Sequence, residues 1–410
     1  MTLEQIKTFE KSLHFPVYNR QEVCFVSGRG CKLYDINGKE YTDFLAGVAV
    51  NCLGYGDMEL TNAICQQALK LLHVSNHFYN LSQNELLYSL LYGTDFSQGF
   101  LCNSGTEANE GAIKLARRYF YTQGIDKTKI VSMYSSFHGR TIGSLTLTGQ
   151  EQMSEFFKPL MGGVQYVAYN DLVNLKEAVT DETCAIILEV IQGEGGINIV
   201  KQEFLDLISE LAKEKNVLII VDEIQTGMGR CGKMFGYQNF NFKPDIITLA
   251  KGLGGGIPIG AVLANQKVCE FGFKAGDHGT TFGGNSLACE CAKVVVNRLK
   301  STNLIEQVVL KGEYLQKKLD ELNFGFTQKT KGLGLMLGVA LDPKVKGAEV
   351  VKIMLEKGFV INCVKGNTLR FVPPLIISYP EIDAMVIALK ETFREIESRL
   401  PQTIILKSLI

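Results

Sequence analysis

Short apolar runs alternate with amphipathic stretches through the middle of this chain. Ile130–Met133, Ala185–Leu188, Val217–Val221, Ile246–Ala250 and Ala261–Ala264 are the clearest runs. Strands buried on both faces read this way, and their alternation with helical patterns predicts an α/β fold, a mostly parallel central sheet covered by helices. Upstream, Glu22–Val26, Cys31–Asp35 and Tyr41–Phe44 predict a small meander. Asn37-Gly38 signals a hairpin there, with positive φ at both central positions of a type I′ turn. Leu60, Ile64, Ala68 and Leu71 recur at helical spacing. After about residue 300 the texture changes to a helix over Leu304–Leu322, strands at Leu335–Ala340 and Thr368–Val372, and a final helix from Glu381 to about Leu400. This predicts a separate α+β layer.

The chain has 410 residues, too many for one ordinary core. We divide it into an N-terminal segment (1–55), a large domain (56–300) and a C-terminal segment (301–410). The formal net charge of −1 gives no basic field for nucleic acid, and no run is long and apolar enough to predict a membrane span. The 11 cysteines are scattered, without a Cys-x-x-Cys pair, which fits a reduced compartment. The first fifteen residues carry charges and no apolar core of a signal peptide, so a cytoplasmic protein is expected.

Two of the apolar runs end on chemistry. Val217–Val221 leads to Asp222, and Ile246–Ala250 leads to Lys251, followed by Gly252, Gly254, Gly255 and Gly256. Open α/β sheets bind ligands outside the carboxyl ends of their strands, so one carboxylate and one amine are expected in one crevice. A pyridoxal-phosphate enzyme needs such an amine for its Schiff base and such a carboxylate beside its pyridine nitrogen.

Other stations are ambiguous alone. Asn103-Ser104-Gly105-Thr106-Glu107 opens a helical pattern, which suits either a phosphate at a helix start or an ordinary capped helix. Ser136-Phe137-His138-Gly139-Arg140-Thr141 offers an aromatic for a planar ring and an arginine for a carboxylate, or simply a loop. Glu189 follows Ala185–Leu188 beside a glycine cluster, and Arg370 sits among apolar residues, where a charge wants a partner. Gly227–Lys233 imitates a P-loop but is followed by Met234, not Ser or Thr, and His73 and His77 lack the glutamate of a zinc protease. Nucleotide and metal catalysis are disfavoured.

Taken in order, Asn-Ser-Gly-Thr-Glu-Ala-Asn-Glu, Ser-Phe-His-Gly-Arg-Thr, Glu-x-x-Gln-Gly-Glu-Gly-Gly, Asp-Glu-Ile-Gln-Thr-Gly and Ala-Lys-Gly-Leu-Gly-Gly-Gly resemble the class III aminotransferases. His278–Asn285 and Leu369–Pro374 continue the likeness, which runs from about residue 16 to 395. The resemblance implies a fold-type I, pyridoxal-phosphate-dependent homodimer with shared active sites, whose N- and C-terminal segments build a smaller α+β domain. It implies Lys251 as the lysine that bonds the cofactor and moves the proton, and Asp222 as the partner of the ring nitrogen. Gln225 would bond the phenolic oxygen, Phe137 and Ile224 would cover the ring, and Gly105, Thr106 and a second subunit's Thr281 would bind the phosphate. Val190 and Ser286 stand where the family commonly has proline, which concerns loop stiffness and leaves the chemistry intact.

Within the class, the short N-terminal segment, His73-Val74-Ser75-Asn76 and the total length resemble the branch that moves the terminal amino group of N2-acetylornithine to 2-oxoglutarate in arginine biosynthesis. By that likeness Arg140 binds the α-carboxylate of acetylornithine. Arg370 binds that of 2-oxoglutarate or glutamate, with Glu189 holding Arg370 between visits. Tyr18 and Asn76 are candidates for the distal end of the amine donor. Enzymes for ornithine, succinylornithine, succinyl-diaminopimelate and 4-aminobutyrate share these motifs. An aminomutase would share the scaffold without needing the carboxylate exchange.

Overall fold

The computed structural model describes residues 1–400; residues 401–410 of the expected C-terminal segment lie outside them. The N-terminal meander is β1 (Phe25–Arg29), β2 (Lys32–Asp35) and β3 (Glu40–Asp43). The large sheet is formed by β4 (Phe96–Cys102), β5 (Lys129–Met133), β6 (Val164–Val167), β7 (Thr183–Leu188), β10 (Leu218–Asp222), β11 (Ile246–Leu249) and β12 (Gly260–Asn265). Between them lies a two-stranded ribbon, β8 (Ile191–Gln192) with β9 (Asn198–Ile199). The C-terminal region adds β13 (Lys331–Leu333), β14 (Met336–Ala340), β15 (Phe359–Val360), β16 (Asn362–Val364) and β17 (Thr368–Phe371).

The large sheet has the order β4-β12-β11-β10-β7-β5-β6. β11, β10, β7, β5 and β6 run parallel, and β12 runs antiparallel to both its neighbours. The expected mostly parallel α/β sheet is therefore present. β4 and β6 had no strand signal in the sequence, because both mix polar residues into their apolar positions. Successive residues of the central strands face opposite layers. Ile186, Ile219 and Val221 pack with Phe204 and Ile208 of the Gln202–Glu214 helix. Ile187 and Ile220 pack with Ala112, Ala116 and Phe120 of the Gly105–Thr122 helix. Both faces are dry, which is why these strands read as continuous apolar runs; each fully buried isoleucine or leucine contributes about 1.5–3 kcal/mol.

β15 pairs in parallel with β3, so the N-terminal and C-terminal segments share one sheet, β1-β2-β3-β15. A second sheet has the order β13-β14-β17-β16, all antiparallel. The closing helix, Tyr379–Glu397, starts with a Ser378–Glu381 capping box and a proline in its first turn. The β2–β3 hairpin forms as expected, with a different turn. Only Gly38 has positive φ (81°), and the Asp35 carboxylate accepts from the backbone N–H groups of Asn37 and Lys39. That side chain organises a longer loop and removes the need for a left-handed Asn37. Among the described residues, no helix is long and apolar enough to cross a membrane.

Candidate functional site

The sheet places its chemistry along one edge. β5, β7, β10 and β11 end there, giving way to the 135–141 loop, Glu189, Asp222 and Lys251. β12 is antiparallel and begins at the same edge, bringing Ile257, Pro258 and Ile259 to it, while Gly260 pairs with Cys102 just before the Gly105–Thr122 helix. The result is a cavity of about 430 Å³ lined by residues from all these stations.

Asp222 lies at its floor, 3% exposed. His138 Nδ1 lies 2.7 Å from its Oδ2, and Asn109 Nδ2 donates to the same oxygen at 2.8 Å. The backbone N–H of Ile224 donates to Oδ1 at 3.0 Å. Such donors repay the cost of burying a carboxylate. Neither His138 nor Asn109 stood out in the sequence. The signal for Asn109 was a polar residue in the apolar stripe of its own helix, with Ala112, Ile113 and Ala116.

Lys251 lies two residues beyond Leu249 and is held at φ 41°, a left-handed conformation that non-glycine residues adopt at a cost. Burial lowers its amine below the usual lysine range, against the pull of Glu194, Asp222 and Glu189. A lysine so placed gives up its proton more readily and is a better nucleophile.

The expected pairing of Glu189 with Arg370 is corrected by the structure. Arg370 Nη1 instead meets Glu194 Oε1 at 2.5 Å, the Gln225 Oε1 at 3.1 Å and the Gly193 carbonyl at 3.3 Å, while its Nε donates to Asn362. Glu189 is occupied elsewhere, accepting from the backbone N–H groups of Phe137 (3.1 Å) and Gly193 (3.2 Å). Those amides satisfy Glu189 locally, whereas Glu194 has the guanidinium to answer. Burial pushes Glu194 upward, yet the charges of Arg370 and Lys251 and its hydrogen bonds hold it below the usual carboxylate range. Burial, with Asp222 nearby, raises Glu189 to about 7 despite His138 and the two amides.

The helix Gly105–Thr122 is capped by Ser104, and Ser104, Gly105 and Thr106 all line the cavity. Helix geometry leaves the first N–H groups without intrahelical partners, which suits a phosphate there. Gly105 packs closely on Ile224: a Cβ would lie 2.8 Å from Ile224 Cδ1, so that side chain would have to shift. Thr106 Oγ1 accepts from the N–H groups of Arg140 and Thr141 at 3.3 Å, tying the helix start to the Phe137 loop. Phe137, Ile224, Gln225 and Asp222 also line the cavity, so a planar ring with a phosphate arm fits the residues present. Arg140 is exposed at this loop, its guanidinium 5.6 Å from the Phe137 ring centroid.

Four expected contributors do not line the cavity: Arg370, which lies behind Glu194, and Tyr18, Thr281 and Asn76. Tyr18 is 72% exposed and lines a separate groove with the Leu3–Leu13 helix, its ring 5.4 Å from the Arg20 guanidinium. No strand ties residues 14–24 to the sheet edge, so nothing within the chain carries Tyr18 there. Thr281 is exposed, while its neighbour Thr280 is fixed by Asn103 Nδ2 at 2.9 Å and Glu107 at 3.1 Å. Asn76 is part of that anchorage, donating to the carbonyls of Thr280 and Gly283.

A sheet-edge lysine, a buried aspartate and a capped helix start face one cavity, and comparison with known proteins shows to which class that arrangement belongs. A family profile described as Aminotransferase class-III matches residues 16–393, and the chain belongs to that family. It is an aminotransferase, and its cofactor is pyridoxal phosphate. The chain is 45% identical over 400 residues to the acetylornithine aminotransferase of Methanocaldococcus jannaschii, covering 97% of this chain and 100% of that one. It is 49% identical over 376 residues to the acetylornithine aminotransferase of Aquifex aeolicus, covering 91% and 98%. Among solved structures, an ornithine aminotransferase from Toxoplasma gondii, with pyridoxal phosphate at partial occupancy in its active site, superposes with a TM-score of 0.93. It is 32% identical, over 97% of this chain and 95% of that one.

Proposed function

We propose that this aminotransferase takes the terminal amino group of N2-acetylornithine and passes it to 2-oxoglutarate, giving N-acetylglutamate 5-semialdehyde and glutamate in arginine biosynthesis. The relatives that share 45% and 49% of their residues with it support the amine donor. The masking of Arg370 by Glu194 carries the two-substrate logic.

The two substrates differ in where their charge lies. The reacting carbon of a terminal amine has no carboxylate attached, whereas that of 2-oxoglutarate carries one directly. An uncovered buried guanidinium beside the first substrate would be an unpaired charge, worth roughly 3–5 kcal/mol against binding. Glu194 neutralises Arg370 while the amine reacts, and turns aside when the 2-oxoglutarate carboxylate takes its place. Arg140, at the exposed loop, holds the distant α-carboxylate of acetylornithine.

Bound in the cavity, pyridoxal phosphate supplies an electron sink for the carbon that loses its proton. Lys251, whose amine reaches this cavity, would be the residue that holds the cofactor and carries the proton to and from the amine-bearing carbon. Asp222 would pair with the ring nitrogen and Gln225 with the phenolic oxygen, while Phe137 and Ile224 would exclude water from the ring faces. Gly105 and Thr106 would hold the phosphate. We further propose a homodimer in which Thr281 of a second copy completes that cup, in keeping with its exposure on a firmly anchored loop. A cytoplasmic location accords with a biosynthetic enzyme.

The test is a single half-reaction on the purified holoenzyme, followed by the visible absorbance of the bound cofactor as N2-acetylornithine is added without keto acid. Loss of the band at lower concentration than with ornithine or 4-aminobutyrate is the expected result. Preference for ornithine would move the assignment to that donor.

A further inference from the structure

We propose that Asn109 is a positioning residue for Asp222, with Thr248 fixing the orientation of its amide. This rests on the cofactor being held with its ring nitrogen at Asp222. Asn109 is fully buried, on the helix whose first residues form the phosphate cup. Its Nδ2 donates to Asp222 Oδ2 at 2.8 Å and to the His138 carbonyl at 2.7 Å. Its Oδ1 accepts from Thr248 Oγ1 at 2.9 Å. Thr248, on β11, is the register partner of Asp222 on β10 and is itself fully buried.

An amide in a dry interface between helix and sheet costs free energy unless each of its polar atoms is answered. Here all are, and both donor contacts go to the Asp222–His138 unit. The hydroxyl of Thr248 can only meet the amide oxygen as a donor, so it decides which way the amide points and keeps its two hydrogens facing Asp222 and His138. His138 reaches the same carboxylate oxygen through Nδ1 at 2.7 Å. Among the described residues, the other carboxylate oxygen has only the backbone N–H of Ile224 at 3.0 Å. Asn109 thereby selects one oxygen for clamping. One helix also sets both ends of the cofactor site: its first turn holds the phosphate, and the next sets the carboxylate for the ring nitrogen. The distance between the two anchors is then a property of that helix, independent of loop motion.

The test compares Asn109→Ala, Thr248→Val and the double variant with the wild-type holoenzyme. The readouts are pyridoxal-phosphate affinity, the visible spectrum of the bound cofactor, and kcat and KM of both half-reactions. Asn109→Ala is expected to weaken cofactor affinity about tenfold or more, the usual scale for a lost hydrogen bond to a charged group. It should also alter the visible band and lower kcat in both half-reactions with little change in KM. Thr248→Val, nearly isosteric, should shift the same readouts in the same direction by less. The double variant should be no worse than Asn109→Ala. Unchanged affinity and spectrum in Asn109→Ala would overturn the proposal, as would additive losses in the double variant. If Asn109→Ala does not fold, Thr248→Val decides: an unaltered spectrum sinks the idea, and the graded change supports it. A wild-type protein with no visible band after pyridoxal phosphate is supplied would instead refute the cofactor assignment on which this rests.

Discussion

Glu194 and Arg370 meet at 2.5 Å, Oε1 to Nη1, with the arginine 1% exposed and the glutamate at the cavity wall. Arg370 is thus covered on its cavity side by a carboxylate, and the proposed function has a substrate carboxylate take that place. Glu194→Gln removes the charge that offsets the guanidinium during the amine half-reaction, leaving it only the neutral acceptors of Gln225, Gly193 and Asn362. That half-reaction should slow about tenfold or more, with the 2-oxoglutarate half much less affected. Arg370→Lys should do the opposite, because the planar fork that matches a carboxylate is lost. Single-turnover rates of each half-reaction measure both, and equal losses in the two halves would refute the exchange.

Lys251→Ala should purify folded, since the side chain makes no hydrogen bond that the core depends on, yet lose turnover. Activity assays beside a circular-dichroism melt check this, and retained turnover would remove Lys251 from the mechanism.

Glu223, next to Asp222, is buried and raised to about 6, chiefly by burial, although Thr226 Oγ1 and the N–H groups of Gly236 and Tyr237 donate to it. Its folded pKa lies above the unfolded value of 4.5. Its contribution to stability is therefore fully present below about pH 4.5 and lost as pH rises through about 6. Relative to Glu223→Gln, the wild type should lose on the order of 2 kcal/mol between about pH 4.5 and pH 7. Denaturant unfolding of the two proteins across that window measures the difference; parallel curves would mean that Glu223 does not titrate there.

Thr281→Ala should weaken cofactor retention on dialysis while leaving the melting temperature near that of the wild type. The side chain is exposed in the single chain and buries nothing there. Unchanged retention would count against a phosphate cup shared between subunits.

Local pattern made part of this site legible. A strand buried on both faces must be written as an apolar run, and the residue where the run stops must sit at the sheet edge. Asp222 and Lys251 could be assigned on that basis without coordinates. Around Gly105 and Thr106 the local pattern announced a capped helix start and left open whether it serves a phosphate; that reading came from the family resemblance. The polar stretches of β4 and β6 were not legible as strands, since their strand character comes from pairing with β12 and β5.

What the sequence determined by itself was the succession of the central buried strands, the residues at their ends and hence the chemistry brought to the edge. These follow from short-range periodicity. Only the tertiary structure decided which carboxylate answers Arg370, that Asn109 and His138 share Asp222, and that Tyr18 stays away from the cavity. Those outcomes turn on side-chain directions and on donors more than a hundred residues apart in some pairs, such as Arg370 with Glu194 and Asn109 with Asp222. No local pattern records them, because a buried charge takes whichever partner the folded backbone leaves unsatisfied within reach.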